Sequence, residues 1–244
     1  MTVPMIDTII NGRWTLKLPE HRHDRYQWPW WEATRLACMH HYLGDGGHTV
    51  WDIGAEEGDF PALWSLWGND VVLFEPNDRV WPNIKAVWEA NDLPGPQGCF
   101  VGFAAAKPPL VTAAEGWNGC FPDCADGPVI SDHGFLNLCE RPDVQYTTID
   151  YALDRVLWPA PTALSIDVEG AELEVLRGAE QTLRERRPLV WVSVHPDFMA
   201  DMYGGKPEQL HDFLDGLGYE RTFLAADHEE HWFFWPRERE LFVQ

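Results

Sequence analysis

Short apolar runs alternate with amphipathic stretches along most of the chain, which is the pattern of strands followed by helices. The strand-like runs are TVWDI (49–53), VVLFE (71–75), GCFVGFA (98–104), ALSIDV (163–168) and PLVWVSV (188–194). Apolar residues recur at the spacing of an α-helix over 31–43, 59–67, 78–91, 170–186 and 207–217. Two closing strands are predicted near 219–225 and 231–235. Because strands separated by helices join through right-handed crossovers, we predict an α/β fold with a mostly parallel sheet.

Two regions depart from this alternation. Residues 1–30 show no sustained period and contain the aromatic and basic run HRHDRYQWPWW, so we predict an N-terminal arm and helix over 1–47. The periods lapse again at about 107–146, where Gly, Pro, Asp and three of the five cysteines collect. We predict an insertion or lid there, within one main domain that spans 48–244.

The charge balance limits the partners. Lys plus Arg number 18 against 39 Asp plus Glu, which gives a formal net charge of −21. Because this charge repels phosphate backbones and anionic bilayers, we expect no direct binding to duplex nucleic acid and no membrane binding.

The cysteines and the N-terminus indicate the compartment. The first residues lack the basic-then-apolar run of a signal peptide, and no apolar stretch approaches 18 residues. The odd number of cysteines has no regular framework, which favours free thiols in a cytoplasmic protein over a structural zinc site. They are Cys38, Cys99, Cys120, Cys124 and Cys139.

The first candidate site segment is VWDIGAEEGDF, where the first predicted strand ends. Ligands of open α/β sheets bind at the carboxyl ends of the strands, where Asp52, Gly54 and Gly58 are placed. The spacing is G-x-x-x-G, whereas a dinucleotide fingerprint reads G-x-G-x-x-G. Glu56 and Glu57 add two carboxylates where a pyrophosphate would lie, so the loop favours a neutral or cationic cofactor.

The ends of the next two strands extend this site. Glu75 follows Gly54 by 21 residues, and a carboxylate at that place can accept hydrogen bonds from both ribose hydroxyls. Gly102, Phe103 and Ala104 follow the third strand and are predicted to flank an adenine. A solvated acid at Glu75 and plain core packing of Phe103 are the structural alternatives.

The second segment, SIDVEGAELEVLRGAEQTL, places Asp167, Glu169 and Glu172 at the end of the fourth strand and the start of a helix. Helix capping explains part of this acidic cluster, because carboxylates are favoured at helix N-termini. It leaves Asp167 unexplained, on the strand side at the shared edge. The fifth strand ends in SVHPDF and brings His195 and Asp197 to the same edge.

These segments, with LFEPN, TTIDYAL and RPLVWVSVHPDF, resemble the FkbM family of S-adenosylmethionine-dependent methyltransferases over about 48–220. The resemblance implies a seven-stranded Rossmann-like class I methyltransferase fold whose last strand is antiparallel. It also implies transfer of a methyl group to a hydroxyl, commonly on a sugar or a secondary metabolite. The predicted catalytic residues are Asp167, His195 and Glu169. The predicted cofactor-binding residues are Asp52, Gly54, Ala55, Glu56, Gly58, Glu75, Pro76, Asn77, Gly102, Phe103, Ala104 and Asp167.

The resemblance has two departures near the expected acceptor site. Ser165 stands where the family often has Lys, and Ser193 stands where an acid often precedes the V-H pair. In the implied reaction, Asp167 or His195 removes the proton of the acceptor hydroxyl. Alternatively, Asp167, Glu169, His195 and Asp197 hold Mg²⁺ or Mn²⁺.

Three other functions stay open. One is an S-adenosylmethionine-binding module without turnover, which the two serines allow. Another is an NAD-dependent oxidoreductase, which the first loop disfavours. The third, a nucleic-acid amino-methyltransferase, usually carries N-P-P-Y or D-P-P-Y after the fourth strand, where this chain reads D-V-E-G at 167–170.

Overall fold

The computed structural model describes residues 3–27, 31–106, 120–131 and 144–239. It begins with a strand pair and two helices: β1 (Met5–Ile10), β2 (Trp14–Pro19), α1 (Glu20–Arg25) and α2 (Ala33–Leu43). The first half of the main domain contains β3 (Thr49–Ile53), α3 (Asp59–Leu66), β4 (Asp70–Phe74), α4 (Trp81–Ala90), β5 (Gly98–Phe100) and β6 (Phe103–Ala104). The second half contains β7 (Tyr146–Thr147), α5 (Ile149–Arg155), β8 (Ala163–Ile166), α6 (Glu172–Arg177), α7 (Glu180–Glu185), β9 (Leu189–Val194), α8 (Pro196–Tyr203), α9 (Pro207–Gly216), β10 (Tyr219–Ala226) and β11 (Glu230–Pro236).

Seven strands form one central sheet in the order β10-β11-β9-β8-β3-β4-β5. The strands from β9 to β5 are parallel neighbours, and β11 is antiparallel to both β9 and β10. The predicted mostly parallel sheet with an antiparallel last strand is therefore confirmed. β8 and β9 are buried along their whole length, which explains their continuous apolar sequences. The carboxyl ends of β3, β4, β8 and β9 meet at one edge, where the predicted site residues lie.

The strand pair β1–β2 was not expected from the sequence. Arg13 N donates to Ile10 O, and Asn11 and Gly12 between them have φ of 48° and 69°. Two positive φ values are what a two-residue hairpin turn requires, and Asn-Gly is the preferred dipeptide there. The Asn-Gly pair and the alternation of apolar and polar residues in WTLKLP (14–19) were the local sequence signals of this hairpin.

Other elements differ from the prediction in their bounds. The helix expected over 170–186 is divided into α6 and α7. Gly178 lies between them, packed so closely that a Cβ on this residue would lie 2.5 Å from the carbonyl oxygen of Ala105. The strand expected over 98–104 is divided into β5 and β6, and β6 pairs with β7. The insertion or lid predicted at about 107–146 lies largely outside the described residues. Within the described ranges, no helix is long and apolar enough to cross a membrane.

Candidate functional site

A cavity of about 230 Å³ lies at the carboxyl edge of the parallel strands. Most of the predicted site residues line it: Asp52, Gly54, Ala55, Glu56, Glu75, Pro76, Asn77, Gly102, Phe103, Ala104, Asp167 and Glu169. Gly58 is not among the lining residues; it precedes α3 with φ of 86°, and a Cβ there would contact Ile84 and Trp88 of α4. His195 is also outside the lining, behind Asp167 and Glu169.

Gly54 joins the loops that follow β3 and β8. Its φ is 92°, and a Cβ on this residue would collide with the carbonyl oxygen of Asp167. The amide of Asp167 donates in turn to Ile53 O at 2.9 Å. Because glycine has no side chain, the predicted cofactor loop can lie directly against the backbone of Asp167, the predicted catalytic residue.

We expect Gly54→Ala to lower the free energy of unfolding more than Gly47→Ala. Gly47 has a similar φ of 79° but nothing within 4 Å of an added Cβ, so its substitution tests the backbone cost alone, about 1–2 kcal/mol. Gly54→Ala adds a further cost of about 1–3 kcal/mol, because the loop after β8 must move. Urea unfolding measures both values, and equal losses would contradict the close approach of the two loops.

The Glu75 carboxylate is fixed by the backbone. Oε2 accepts from the amide of Glu56 at 2.9 Å, and Oε1 accepts from the amide of Asn77 at 2.8 Å. The side chain therefore ties the loop after β3 to the loop after β4, with its carboxylate at the cavity. Burial raises the pKa of the neighbouring Asp52 to about 8, although Arg35 and Ser165 oppose the increase.

The two carboxylates of the first loop are paired with cations, which the sequence interpretation did not anticipate. Arg22 and Arg25 of α1 make four hydrogen bonds of 2.7–3.1 Å with Glu56. Glu57 Oε1 lies 3.7 Å from Arg22 Nη1, and Glu57 Oε2 accepts from Asn83 at 2.6 Å and lies 2.6 Å from His21 Nε2. The charge of the loop is therefore largely compensated, so these carboxylates do not by themselves exclude a pyrophosphate.

Asp167 lies between a cation and several acids at the end of β8. Arg35 Nη1 lies 3.4 Å from Asp167 Oδ2, while Arg35 Nη2 donates to Ser165 Oγ at 3.0 Å. Burial raises the pKa of Asp167 well above its usual value, and Glu229 raises it further, whereas Arg35 lowers it. The side chain is partly exposed to the cavity, and a carboxylate with a raised pKa at such a place is typical of a proton acceptor.

His195 is hydrogen-bonded on both sides of its ring. Nδ1 lies 2.8 Å from Glu172 Oε1, and Nε2 lies 2.6 Å from Glu229 Oε2. Burial opposes a charge on the ring, but these two carboxylates raise its pKa to about 11. An imidazolium has no free lone pair, so His195 does not accept a proton in this arrangement. Asp167 is the remaining candidate for the base.

The same contacts bear on the metal alternatives. One nitrogen or oxygen atom from each of Asp167, Glu169 and His195 lies within 4.8 Å of the others. However, both nitrogens of His195 are engaged by glutamates, and Asp197 is exposed on α8. This geometry does not fit a Mg²⁺ or Mn²⁺ site. The described cysteines are free thiols, and Cys139 lies outside the described residues.

Several residues that line the cavity were missed by the sequence interpretation. They come from α1, from the start of α2 and from the turn between β10 and β11: Arg22, Arg25, Trp31, Glu32, Arg35, His228 and Glu229. Trp31 stacks on His228 with ring centroids 4.6 Å apart, so the segment before α2 contacts the β10–β11 turn beside the cavity. The signals available were the basic run of the arm and the sequence DHEEH at 227–231.

Comparison with known proteins shows the family and the fold of this chain. The chain matches the family model described as Methyltransferase FkbM domain over residues 52–221. The crystal structure of Methyltransferase FkbM from Methylobacillus flagellatus KT is similar with a TM-score of 0.51 and 16% identity, over 78% of this chain and 44% of that chain. The structure of the ribosomal protein L11 methylase from Lactobacillus delbrueckii subsp. bulgaricus has a TM-score of 0.49 and 8% identity, over 85% of this chain and 78% of that chain. The structure of the precorrin-6y C5,15-methyltransferase from Geobacter metallireducens GS-15 has a TM-score of 0.46 and 11% identity, over 84% of this chain and 87% of that chain.

These comparisons differ in what they support. No curated protein matches significantly. This chain spans less than half of the Methylobacillus flagellatus protein, and at 16% identity that likeness shows the fold alone. The class I methyltransferase fold is thereby confirmed. Because the family model covers residues 52–221, well over half of the chain, the protein belongs to the FkbM methyltransferase family.

Proposed function

We propose that this protein transfers the methyl group of S-adenosylmethionine to a hydroxyl group of a small molecule, a sugar or a secondary metabolite. One observation carries the proposal: a single cavity brings together the Gly54 loop, the Glu75 carboxylate and Asp167. Family membership supplies the class of reaction. The cavity supplies the two parts that the reaction needs, a place for the cofactor and a carboxylate beside it.

The cavity residues fit the cofactor. The fixed carboxylate of Glu75 would accept hydrogen bonds from the ribose, and Phe103 and Ala104 would flank the adenine. When bound, the cofactor supplies an electrophilic methyl group for an in-line displacement, whose rate depends mainly on positioning.

Asp167 is proposed as the group that removes the acceptor proton. It lines the cavity, and burial and the neighbouring Glu229 raise its pKa well above the usual value of an aspartate, which makes it a better proton acceptor. Glu169 lines the cavity on the same loop and is half-exposed, so it is placed to contact the acceptor. The acceptor hydroxyl must come within hydrogen-bond distance of Asp167.

A cofactor-binding module without turnover is the second candidate, because Ser165 and Ser193 replace charged residues of the family pattern. Both serines are buried and hydrogen-bonded, Ser165 to Arg35 and Ser193 to His231 Nδ1 at 3.2 Å. The Arg35 contact supplies a cation beside Ser165 from another element. This favours a competent site over a module that only binds.

We expect both S-adenosylmethionine and its demethylated product to stabilise the protein against heat. A ligand that binds only the folded state, present at a hundredfold excess over its dissociation constant, raises the free energy of unfolding by about 2.7 kcal/mol. For a chain of this size, that corresponds to a rise of about 5 to 11 °C in Tm. NADH is the control, because the charge of the first loop is compensated and does not exclude it. A rise in Tm with NADH, and none with S-adenosylmethionine or its demethylated product, would overturn the cofactor assignment.

Transfer is then measured with methyl-labelled cofactor and a panel of hydroxylated acceptors, with product detected by mass spectrometry. Labelled product in the sugar or metabolite fraction supports the proposed reaction. Cofactor binding with no product from any acceptor would favour the binding module. Label on an added ribosomal RNA or protein, but on no small molecule, would contradict the substrate class.

A further inference from the structure

The turn between β10 and β11 supplies a side chain to the reacting edge from outside the family-matched residues. Glu229 is 6% exposed, and its Oε2 lies 2.6 Å from His195 Nε2. Its other oxygen, Oε1, lies 3.6 Å from His228 Nε2 and 3.7 Å from His231 Nδ1. The family-model match ends at residue 221, so Glu229 lies outside the matched residues.

His195 is surrounded by acids from each element packed against it. Glu172 of α6 lies at 2.8 Å and Glu229 at 2.6 Å, on opposite nitrogens of the ring. Glu169 lies 3.5 Å and Asp167 3.9 Å from Nε2, both on the loop after β8. Because an ionised carboxylate only accepts hydrogen bonds, a ring with a carboxylate on each nitrogen carries a proton on both.

We propose that Glu229 is a positioning residue that, together with Glu172, fixes His195 as an imidazolium beside Asp167. Its role in methyl transfer rests on the proposed function, but its effect on His195 does not. The fixed cation compensates part of the negative charge around Asp167 and Glu169. It also keeps the ring from swinging into the cavity, so the acceptor hydroxyl meets the carboxylates of the loop after β8.

Nitrogen-15 NMR of the histidine side chains in the 244-residue chain tests the effect on His195 without cofactor or acceptor. The His195→Asn variant assigns the signal. In the wild-type protein we expect both ring nitrogens to be protonated at pH 8, whereas an ordinary histidine is neutral there. In Glu229→Gln the pKa of His195 should fall by at least about one unit, a tenfold change in its protonation equilibrium.

Glu230→Gln is the matched control, with the same charge change one residue further along, at the start of β11. Glu230 accepts from Trp232 Nε1 at 3.0 Å and makes no described contact with His195. This variant should leave the His195 signal unchanged. Glu229→Asp, which keeps the charge on a shorter side chain, should restore part of the shift and serves if Glu229→Gln unfolds. A neutral His195 in the wild-type protein at pH 8, or the same His195 pKa in Glu229→Gln as in Glu230→Gln when the signals are followed as a function of pH, would overturn the proposal.

The role in transfer is tested separately with the acceptor found in the screen. Glu229→Gln should lower kcat at least about tenfold and leave cofactor affinity within about threefold, and Glu229→Asp should recover part of kcat. Unchanged kcat with an altered His195 signal would refute the positioning role. If the NMR result is as expected but neither S-adenosylmethionine nor its demethylated product binds, the proposed function is wrong, while the inference that His195 is an imidazolium is still supported.

Discussion

Asp167→Asn is expected to slow methyl transfer by about 100- to 10,000-fold, the usual cost of losing a general base. Asparagine has nearly the same shape but does not take up a proton at neutral pH. The backbone contacts of this residue, its amide to Ile53 and its carbonyl against Gly54, remain. Cofactor affinity should therefore stay within a few fold. Initial rates with labelled cofactor and calorimetry with the demethylated product measure the two quantities.

Asp201→Asn is the matched control for this prediction. Asp201 is exposed on α8 and is not among the residues that line the cavity, so its substitution removes the same charge without touching the site. It should leave both rate and affinity unchanged. Near-normal turnover in Asp167→Asn would show that positioning alone drives transfer, or that another carboxylate such as Glu169 accepts the proton.

Glu75→Ala is expected to weaken the binding of S-adenosylmethionine roughly 10- to 150-fold, corresponding to about 1.5–3 kcal/mol for hydrogen bonds to a charged group. The carboxylate is proposed to hold the ribose hydroxyls. It also accepts from the amides of Glu56 and Asn77, so a loss of stability of about 1–2 kcal/mol should accompany the change. Calorimetry gives the affinity, and urea unfolding gives the stability.

Two further variants separate these effects. Glu75→Gln keeps one oxygen acceptor for the backbone, so it should lose less stability than Glu75→Ala while still losing affinity. Asp78→Asn, on an exposed residue three positions further along the same loop, should change neither. Wild-type affinity in both Glu75 variants would refute the assignment of this carboxylate to the ribose.

The parts of the site that are local in sequence were predictable. Each strand end carries its own signal, a buried apolar run followed by Gly54, Glu75 or Asp167. The parallel sheet aligns these ends because every crossover returns the chain to the same edge. The predicted cofactor residues consequently gather around one cavity, although Gly58 packs against α4 instead of lining it.

The ionisation of the site was not predictable in this way. His195 was expected to be a candidate base, and Glu56 to present free charge, because a sequence shows which groups are present but not what lies against them. The partners are distant along the chain: Arg22 reaches Glu56 across 34 residues, and Arg35 reaches Asp167 across 132. Hydrogen bonds and burial then set the pKa of each group, and both depend on tertiary contacts.

The sequence by itself determined the chain order of the strands of the central sheet, the edge at which the predicted site residues lie and the family to which the chain belongs. These follow from short-range patterns, apolar periodicity and residues adjacent in sequence. The tertiary structure decided which side chains complete the cavity, since the arm, α2 and the β10–β11 turn meet there only after folding. It also decided that His195 is held as a cation between Glu172 and Glu229, because a charge state depends on neighbours that only the folded chain brings together.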